Sequence, residues 1–352
     1  MSQMHHATTG EVMERGMTYA DAGVDQDVMN AAAKSLLGSL RFRREGLGAP
    51  YRHEEGFSGL IEFGDVLLGL ATDGVGTKSH ISQETGRWDT IGIDCVAMNV
   101  NDLICVGAEP LAFVDYIATP RPDPEVWAAI GTGLDEGCRQ SNMTLVGGET
   151  SVMPETVKQI DITGTALGYV PKDRVITGMD IAPGDAMIGL ASSGIHSNGY
   201  TLVRRAIAAA GLSWDEPFGD RTLGEEALEP TTIYVRAVMD LIKEVEVKAM
   251  ANITGGGLRN LIRWNDGLRY VIDDPLPVPP IFDALQEWGS VEDVEMWQTF
   301  NMGIGFVLAV SPGEVDEALS VLGHHHECKV VGRIEEGKGA VHEGLGIEYT
   351  EY

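Results

Sequence analysis

The chain is short of three things, and each shortage excludes a class of protein. It has four cysteines in 352 residues, Cys95, Cys105, Cys138 and Cys328. They are dispersed with no CxxC spacing, which argues against a disulfide framework or a thiolate metal site and leaves reduced structural thiols. No apolar run reaches the roughly 18–20 residues that span a bilayer; "GIGFVLAV" at Gly303 to Val310 has strand length. Positive charge is scarce, with 25 Lys and Arg against 53 Asp and Glu and a net charge of −28. Such a field repels nucleic acid and anionic membranes, so neither is an expected partner. The acids are scattered rather than gathered in a tail, which reads as a halophilic-type, salt-adapted surface. The opening segment, "MSQMHHATTGEVMERG", has no apolar signal core, so a cytoplasmic location is expected.

What is present is a 43% hydrophobic, globular composition whose length calls for two domains. Strand-like and helix-like stretches alternate from Val66 to about residue 170 in a βαβαβ-like succession. The Pro/Gly-rich "PKDRVITGMDIAPGD" then marks a boundary, giving domains 1–170 and 171–352. A second mixed unit follows, with helices expected from about Thr231 to Glu244 and near Pro280 to Trp288. The "HHHEC" run at His324 to Cys328 reads as a polar loop beside a strand.

The stretch "TDGVGTKS" (Thr72 to Ser79) follows the strand "VLLGLAT" and is built as if around phosphate. Gly74 and Gly76 let backbone N–H groups turn toward an anion. Thr77 adds a hydroxyl and Lys78 a compact positive charge, in a chain with only eight lysines. Neither familiar frame is present: a P-loop needs Gly where Thr77 stands, and a Rossmann fingerprint needs Gly at Ser79. Asp73 is placed to hold Mg²⁺ against a polyphosphate. On the next predicted helix Asp94, Met98 and Asn101 fall at i, i+4 and i+7, with Asp102 one step round. Opposite them Ile93, Val96, Val100 and Leu103 form the expected core stripe. A carboxylate inside so apolar a segment is costly unless it is paired or binds a cation, and this makes Asp94 and Asp102 metal candidates beside Asp73.

Three further turns carry candidates. In "LASSGIHSNGYTLVRR" a strand runs through Ser193, His196, Ser197 and Asn198 into a helix whose free N–H groups favour an anion. His196 is there a candidate for proton exchange near neutral pH. GxSxG is missing around Ser192 and Ser193, so an elbow nucleophile is not expected. In "NITGGGLRN" the glycines at Gly255 and Gly256 let backbone approach a ligand, for which a phosphate monoester is the expectation; close helix packing is the alternative. Glu149, in "LVGGET", and Asp115, in "LAFVDYIAT", are weaker candidates as metal ligands or substrate acceptors, and strand-end turns serve equally well there.

Ten stretches, in order and covering about residues 19 to 310, resemble the phosphoribosylformylglycinamidine cyclo-ligase (aminoimidazole ribonucleotide synthetase) family. They include "YADAGVD", "TDGVGTK", "DTIGIDCVAMNVNDLICVGAEP", "LVGGET", "LASSGIHSNGYTLVRR", "PTTIYVRAV", "ITGGGL" and "EMWQTFNMGIGFVLAV". The resemblance implies an α+β fold: a mixed-sheet, ATP-binding N-terminal domain, an α+β C-terminal domain, and a homodimer joined through the N-terminal sheets. It implies ATP-dependent closure of formylglycinamidine ribonucleotide to 5-aminoimidazole ribonucleotide, with ADP and phosphate released. Asp73, Thr77, Lys78, Asp94, Asn101 and Asp102 would then serve ATP and Mg²⁺, with His196 and Lys78 catalytic. The family's "GGFGGL" loop, which would bring Gly59 to the nucleotide, reads "EGFSGL" here, with Glu55 and Ser58 in place of glycines. Other ATP-using enzymes of the superfamily, thiamine-monophosphate kinase and selenophosphate synthetase, are the nearest rivals. The reactive N-terminal cysteine of the selenium enzyme has no counterpart before Cys95. A non-catalytic nucleotide-binding protein of the same fold is the remaining alternative.

Overall fold

The computed structural model describes residues 16–51 and 58–352. Of the divergent "EGFSGL" loop, Glu55 to Phe57 lie outside the described residues. Strands β1 (Gly59–Phe63), β2 (Val66–Gly74), β3 (Glu109–Thr119), β4 (Thr144–Val152) and β5 (Asp161–Pro171) form one sheet in the order β1-β2-β5-β3-β4. The β-succession expected from the sequence differs in one respect. β5 enters between β2 and β3 and runs antiparallel to both, so β3 and β4 make the parallel pair. Local alternation of strand and helix sets the elements but not which strands hydrogen-bond.

Side chains alternate across these strands, as the two-residue period requires. Leu67, Ala71, Phe113, Ile162 and Ala166 point to a buried face, covered by the helix Ile91–Ile104, beyond which lies Pro124–Ser141. The two helices cross closely because glycines meet there: a Cβ on Gly92 would stand 2.2 Å from Leu134 N, and one on Gly133 2.5 Å from Asp89 O. The opposite face leaves Leu70, Val114 and Tyr116 exposed.

A seven-stranded sheet forms the C-terminal half: β6 (Ala186–Ala191), β9 (Val247–Asn252), β10 (Leu268–Ile272), β11 (Ile304–Val310), β12 (Cys328–Glu336), β13 (Gly339–His342) and β14 (Ile347–Tyr349), with a small separate hairpin, β7 (Pro217–Phe218) and β8 (Arg221–Thr222). Its order is β14-β13-β10-β12-β6-β11-β9. β11 is buried along its whole length.

The helix Ile91–Ile104 lies between the two halves, touching β2 and β5 on one side and β9 and the helix Val235–Glu244 on the other. Nearly every residue on it is therefore buried, including Asp94, Asn99 and Asn101; a helix covered all round has no solvent stripe. The expected polar stripe exists, but it faces the second domain instead of water. A second difference lies in the helix expected from Thr231, which begins at Val235. Residues 229–234 stay non-helical because their backbone groups and the Thr231 hydroxyl are engaged by side chains of the other half.

Candidate active site at the domain junction

The Asp73–Lys78 loop leaves the end of β2 and tightens into a 3₁₀ turn at Gly76–Lys78. Gly76 takes a φ of 65°, which suits glycine. The Asp73 carboxylate accepts from its neighbour Gly74 N at 2.7 Å, and the Asn99 amide donates to Asp73 O at 3.2 Å. Asp73 keeps contact with solvent, and partial desolvation raises its pKa, a shift that the Gly74 N–H opposes. The Thr77 hydroxyl lies 3.3 Å from that of Thr201.

Lys78 runs inward and is 0% exposed. Its ammonium donates to Asp94 Oδ1 at 2.9 Å, His196 O at 3.0 Å and Glu229 O at 2.7 Å, with Asp94 Oδ2 at 2.8 Å. An ammonium has three donors, and here all three are taken. Asp94 also accepts from Thr231 N at 2.8 Å and Thr231 Oγ1 at 2.7 Å. This revises two expectations. The sequence suggested Lys78 for phosphate and Asp94 for a cation, whereas the fold makes each the other's partner. Burial pulls the lysine pKa down and the Asp94 charge opposes it. The pair ties the helix Ile91–Ile104 to two segments of the C-terminal half.

The rest of the acidic stripe divides in the same way. Asn101 donates to Thr232 O at 2.8 Å and accepts from Tyr234 N at 3.1 Å, so its amide is a structural clasp here. Asp102 accepts from Asn252 Nδ2 at 2.8 Å. Its pKa is raised to about 7 by burial, and the charge of Asp73 pushes the same way. Asp73 and Asp102 are thus carboxylates held above their ordinary range, one adding to the other's shift. Two such groups fit a hard divalent cation, which commonly takes one or two carboxylates plus substrate phosphates. Among the described residues no three His, Cys, Asp or Glu side chains converge as a self-sufficient metal site.

In the Ser193–Asn198 loop His196 has a φ of 64°. Its Nε2 accepts from Ser193 N at 3.3 Å. Burial, aided by the charge of Lys78, lowers its pKa to about 3. The expected proton exchange near neutral pH therefore does not fit this state: the imidazole is neutral and one nitrogen is engaged. Ser193 Oγ donates to Pro230 O at 2.5 Å, and Ser197 Oγ lies 2.9 Å from Thr231 Oγ1. Asn198 lies within 3.9 Å of the Met98 sulfur and also faces Gly255, where an added Cβ would stand 3.2 Å from Asn198 Oδ1. Gly257 answers to packing, since a Cβ there would meet Trp297 O at 2.1 Å. Gly256 is buried against Asn260 and Tyr352.

The fold thus collects Lys78, Asp94, Asn101, His196, Ser193 and Ser197 around residues 229–234, with Asn198 between Met98 and Gly255, Asp102 further along the helix Ile91–Ile104, and Asp73 at the end of β2 where Asn99 of that helix reaches its carbonyl. It does not bring in Glu149. Asp73 and Asp115 both pair with Gly164, one from each side, on the helix-covered face. Glu149 pairs with Tyr116 and so projects to the opposite, open face. Burial raises the Asp115 pKa. Gly74 packs close to Thr163, and Gly59 pairs with Leu70 at the edge strand.

Sequence reasoning missed four supports. Thr231 completes the Asp94 shell, and Asn252 holds Asp102. Asn301 donates to Gly194 O at 2.8 Å and accepts from Ser192 Oγ at 2.8 Å, bracing the histidine loop. A Cβ on Gly305 would meet Tyr234 Oη at 2.0 Å and His196 Cε1 at 2.7 Å. The one signal for the last two was a glycine-punctuated run, "FNMGIGF", in an otherwise large-residue strand.

Two family models match the chain: the N-terminal domain of AIR synthase related proteins over residues 58–170, and the C-terminal domain over residues 182–344. A phosphoribosylformylglycinamidine cyclo-ligase from Methanococcoides burtonii is 46% identical over 326 residues, 92% of this chain and 96% of the relative. The one from Thermococcus kodakarensis is 47% identical over 337 residues, 94% and 99% of the two chains. Among solved structures, AaThiL complexed with AMPPCP and TMP superposes with a TM-score of 0.65 at 17% identity, covering 98% of each chain. Thiamine-monophosphate kinase from Stenotrophomonas maltophilia gives 0.62 at 18%, covering 91% of this chain and 96% of that one. At such identities these two establish the fold alone.

Two outcomes follow from the electrostatics. Lys78→Met strands the buried Asp94 charge and should cost about 3–5 kcal/mol in urea unfolding, whereas Lys78→Met with Asp94→Leu should recover part of that loss. Additive losses would show that the two groups are not coupled. Asp102, with its pKa raised from 3.8 to about 7, binds its proton more tightly folded than unfolded. Its contribution favours folding at acid pH and is lost as pH rises through that interval. In the absence of divalent cations, Asp102→Asn should therefore flatten stability against pH between those values; an unchanged slope would reassign the carboxyl.

Proposed function

The chain belongs to the phosphoribosylformylglycinamidine cyclo-ligase family, and from that membership we propose that it closes formylglycinamidine ribonucleotide to 5-aminoimidazole ribonucleotide. ATP is the co-substrate, with ADP and phosphate as its products, in the formation of purines. The observation that carries the reading is relatedness over nearly the whole chain, at 46% and 47% identity to relatives bearing that name. It is supported by the meeting of segments from both halves at one buried junction.

The chemical difficulty is the formyl oxygen, which leaves poorly from an amide. In the proposed sequence that oxygen attacks the γ-phosphorus, the bond to ADP breaks, and the neighbouring amidine nitrogen attacks the formyl carbon. The C–O bond then breaks with inorganic phosphate as leaving group, and the ring nitrogens shed their protons to solvent. Phosphoryl transfer of this kind depends on positioning and charge stabilisation. Asp73 and Asp102 would hold Mg²⁺, which when bound offsets the charge of the phosphates. The Gly74–Thr77 turn carries the triphosphate, and the Ser193–Asn198 loop faces the ribonucleotide. The Lys78–Asp94 pair keeps the two halves in register and His196, neutral, shapes its loop. Purified protein given formylglycinamidine ribonucleotide and Mg-ATP should yield aminoimidazole ribonucleotide and ADP in equal amounts. ADP without the ring product would overturn the reading.

A second copy of the chain covers the open face of the N-terminal sheet in this proposal. Leu70 on β2 and Val114 and Tyr116 on β3, with β5 between those strands, are exposed there, and apolar side chains exposed together on one face commonly mark an interface. Sedimentation should give a dimer that Val114→Glu dissociates; a wild-type monomer at micromolar concentration would contradict it.

A further inference from the structure

The "HHHEC" run, which the sequence presents as a polar loop beside a strand, borders a cavity of 360 Å³. Arg139, Gln140, Ile233, Arg236, His325 and His326 line it. They come from three places: the end of the helix Pro124–Ser141, the 229–234 segment with the first turn of the helix Val235–Glu244, and the histidine run before β12. The volume lies within the range of small-ligand pockets. No acid is among these lining residues, in a chain with 53 acids to 25 bases. The cavity of 520 Å³ beside residues 173–180, by contrast, mixes Arg174, Lys243 and Lys248 with Glu109, Asp173 and Glu246.

Hydrogen bonds fix where the charged groups stand. Arg236 donates through Nε to Gln140 O at 3.0 Å and through Nη2 to Arg139 O at 2.8 Å. Both acceptors belong to lining residues, so the guanidinium lies on the cavity wall. Those contacts use two of its five N–H donors, and among the described residues Nη1 has no partner. Arg139 gives Nε and Nη2 to Glu136, at 2.7 and 2.6 Å, and keeps Nη1. His325 Nε2 stands 3.2 Å from Asp240 Oδ2, and Lys243 also holds that acid, at 2.8 Å. His326 is a neutral aromatic wall: burial lowers its pKa, and its ring meets Tyr234 edge to face with centroids 5.2 Å apart. Glu136 and Asp240 thus have basic partners, and the charge left over is that of Arg236. A guanidinium with a free edge is shaped for the oxygens of a phosphate group.

We propose that this cavity binds a phosphate-type oxyanion, free or as the end of a monoester, on the unused edges of Arg236 and Arg139. The site is separate from the candidate active site and does not depend on the cyclo-ligase reading. Tyr234 connects the two places: its ring neighbours His326, at 5.2 Å, and His196, at 6.4 Å, and its amide is held by Asn101. An anion bridging the end of the helix Pro124–Ser141 to the start of the helix Val235–Glu244 fixes the segment that also engages Lys78 and Asp94. It does so without touching substrate. A ligand that binds only the docked arrangement stabilises it by mass action.

The test follows the imidazole proton resonances of His325 and His326 in the whole protein, assigned with His325→Asn and His326→Asn. These are local reporters, so anion binding at the candidate active site does not imitate the result. Inorganic phosphate and glycerol 3-phosphate are titrated separately, with sodium chloride at matched ionic strength as the control. In wild type the resonances should move saturably with the phosphate probes and not with chloride. Arg236→Gln, first checked for an unchanged circular dichroism spectrum, should weaken that response about ten- to hundredfold, the loss of one charge-assisted contact. Saturation by both probes shows that free and esterified phosphate are accepted; saturation by one alone assigns the source. Equal movement in wild type and Arg236→Gln, the same movement with chloride, or no movement overturns the proposal. If Arg236→Gln does not fold, Arg139→Gln decides: it should weaken the response severalfold, and an affinity equal to wild type refutes the site. Neither arm uses turnover, so failure here leaves the cyclo-ligase reading standing.

Discussion

One buried ion pair holds the two halves of this molecule in register. Lys78 and Asp94 are both 0% exposed, and removing such charges from water carries a penalty of several kcal/mol per ion. The penalty is offset by close coordination: Lys78 by a carboxylate and two carbonyls, and Asp94 Oδ1 by the ammonium, an amide and a hydroxyl, while Oδ2 has the ion-pair contact with Lys78 alone among the described residues. The partners lie at residues 78, 94, 196, 229 and 231, so the contact cannot form unless both domains dock in a single arrangement. A hydrophobic pair would bind the halves as firmly but would tolerate sliding. Here a displacement of an ångström or two breaks charged hydrogen bonds that have no water to replace them.

Other features of the site follow from that constraint. Because residues 229–234 must offer backbone groups to Lys78, Asp94 and Asn101, they cannot close a helical turn, and the following helix starts only at Val235. Because Lys78 lies under the carbonyl of His196, the histidine is buried in a left-handed turn and stays neutral. Asn301, before β11, and Gly305, on it, then brace that turn from behind. Among the described residues no hydrogen bond ties the acids left over, Asp73 and Asp102, to a cationic side chain, and desolvation raises both pKa values. The structural ion pair and the candidate cation site are therefore separate devices, each joining one acid of the helix Ile91–Ile104 to a residue of the Asp73–Lys78 segment.

Much of this is legible in the amino-acid sequence. The motif after β2, the acid-bearing helix, the "SSGIHSNG" loop and the glycine turn were all recognisable as places where chemistry gathers, and the fold brings most of them to one junction. Their division of labour was not recognisable. Lys78 looked like a phosphate ligand because lysine after glycines often is one; nothing within five residues of it reveals an aspartate sixteen positions away as its partner. Gly257 looked like part of an anion turn, yet it answers to a carbonyl on the helix Asp293–Thr299. Glu149 looked equivalent to Asp115, but strand parity sends them to opposite faces.

Composition and local pattern alone determined the class of the chain, its net charge of −28, the approximate positions of strands and helices, and the motifs that carry its family. These depend on backbone conformation, periodicity and side-chain type, all set by neighbours along the chain. Tertiary structure alone decided the insertion of β5 between β2 and β3, the pairing of Lys78 with Asp94, and the neutral state of His196. It also decided which of the acids Lys78 takes as its partner and which it leaves. Those outcomes depend on distances between residues far apart in sequence and on the water excluded between them, and one-dimensional order does not encode either quantity directly.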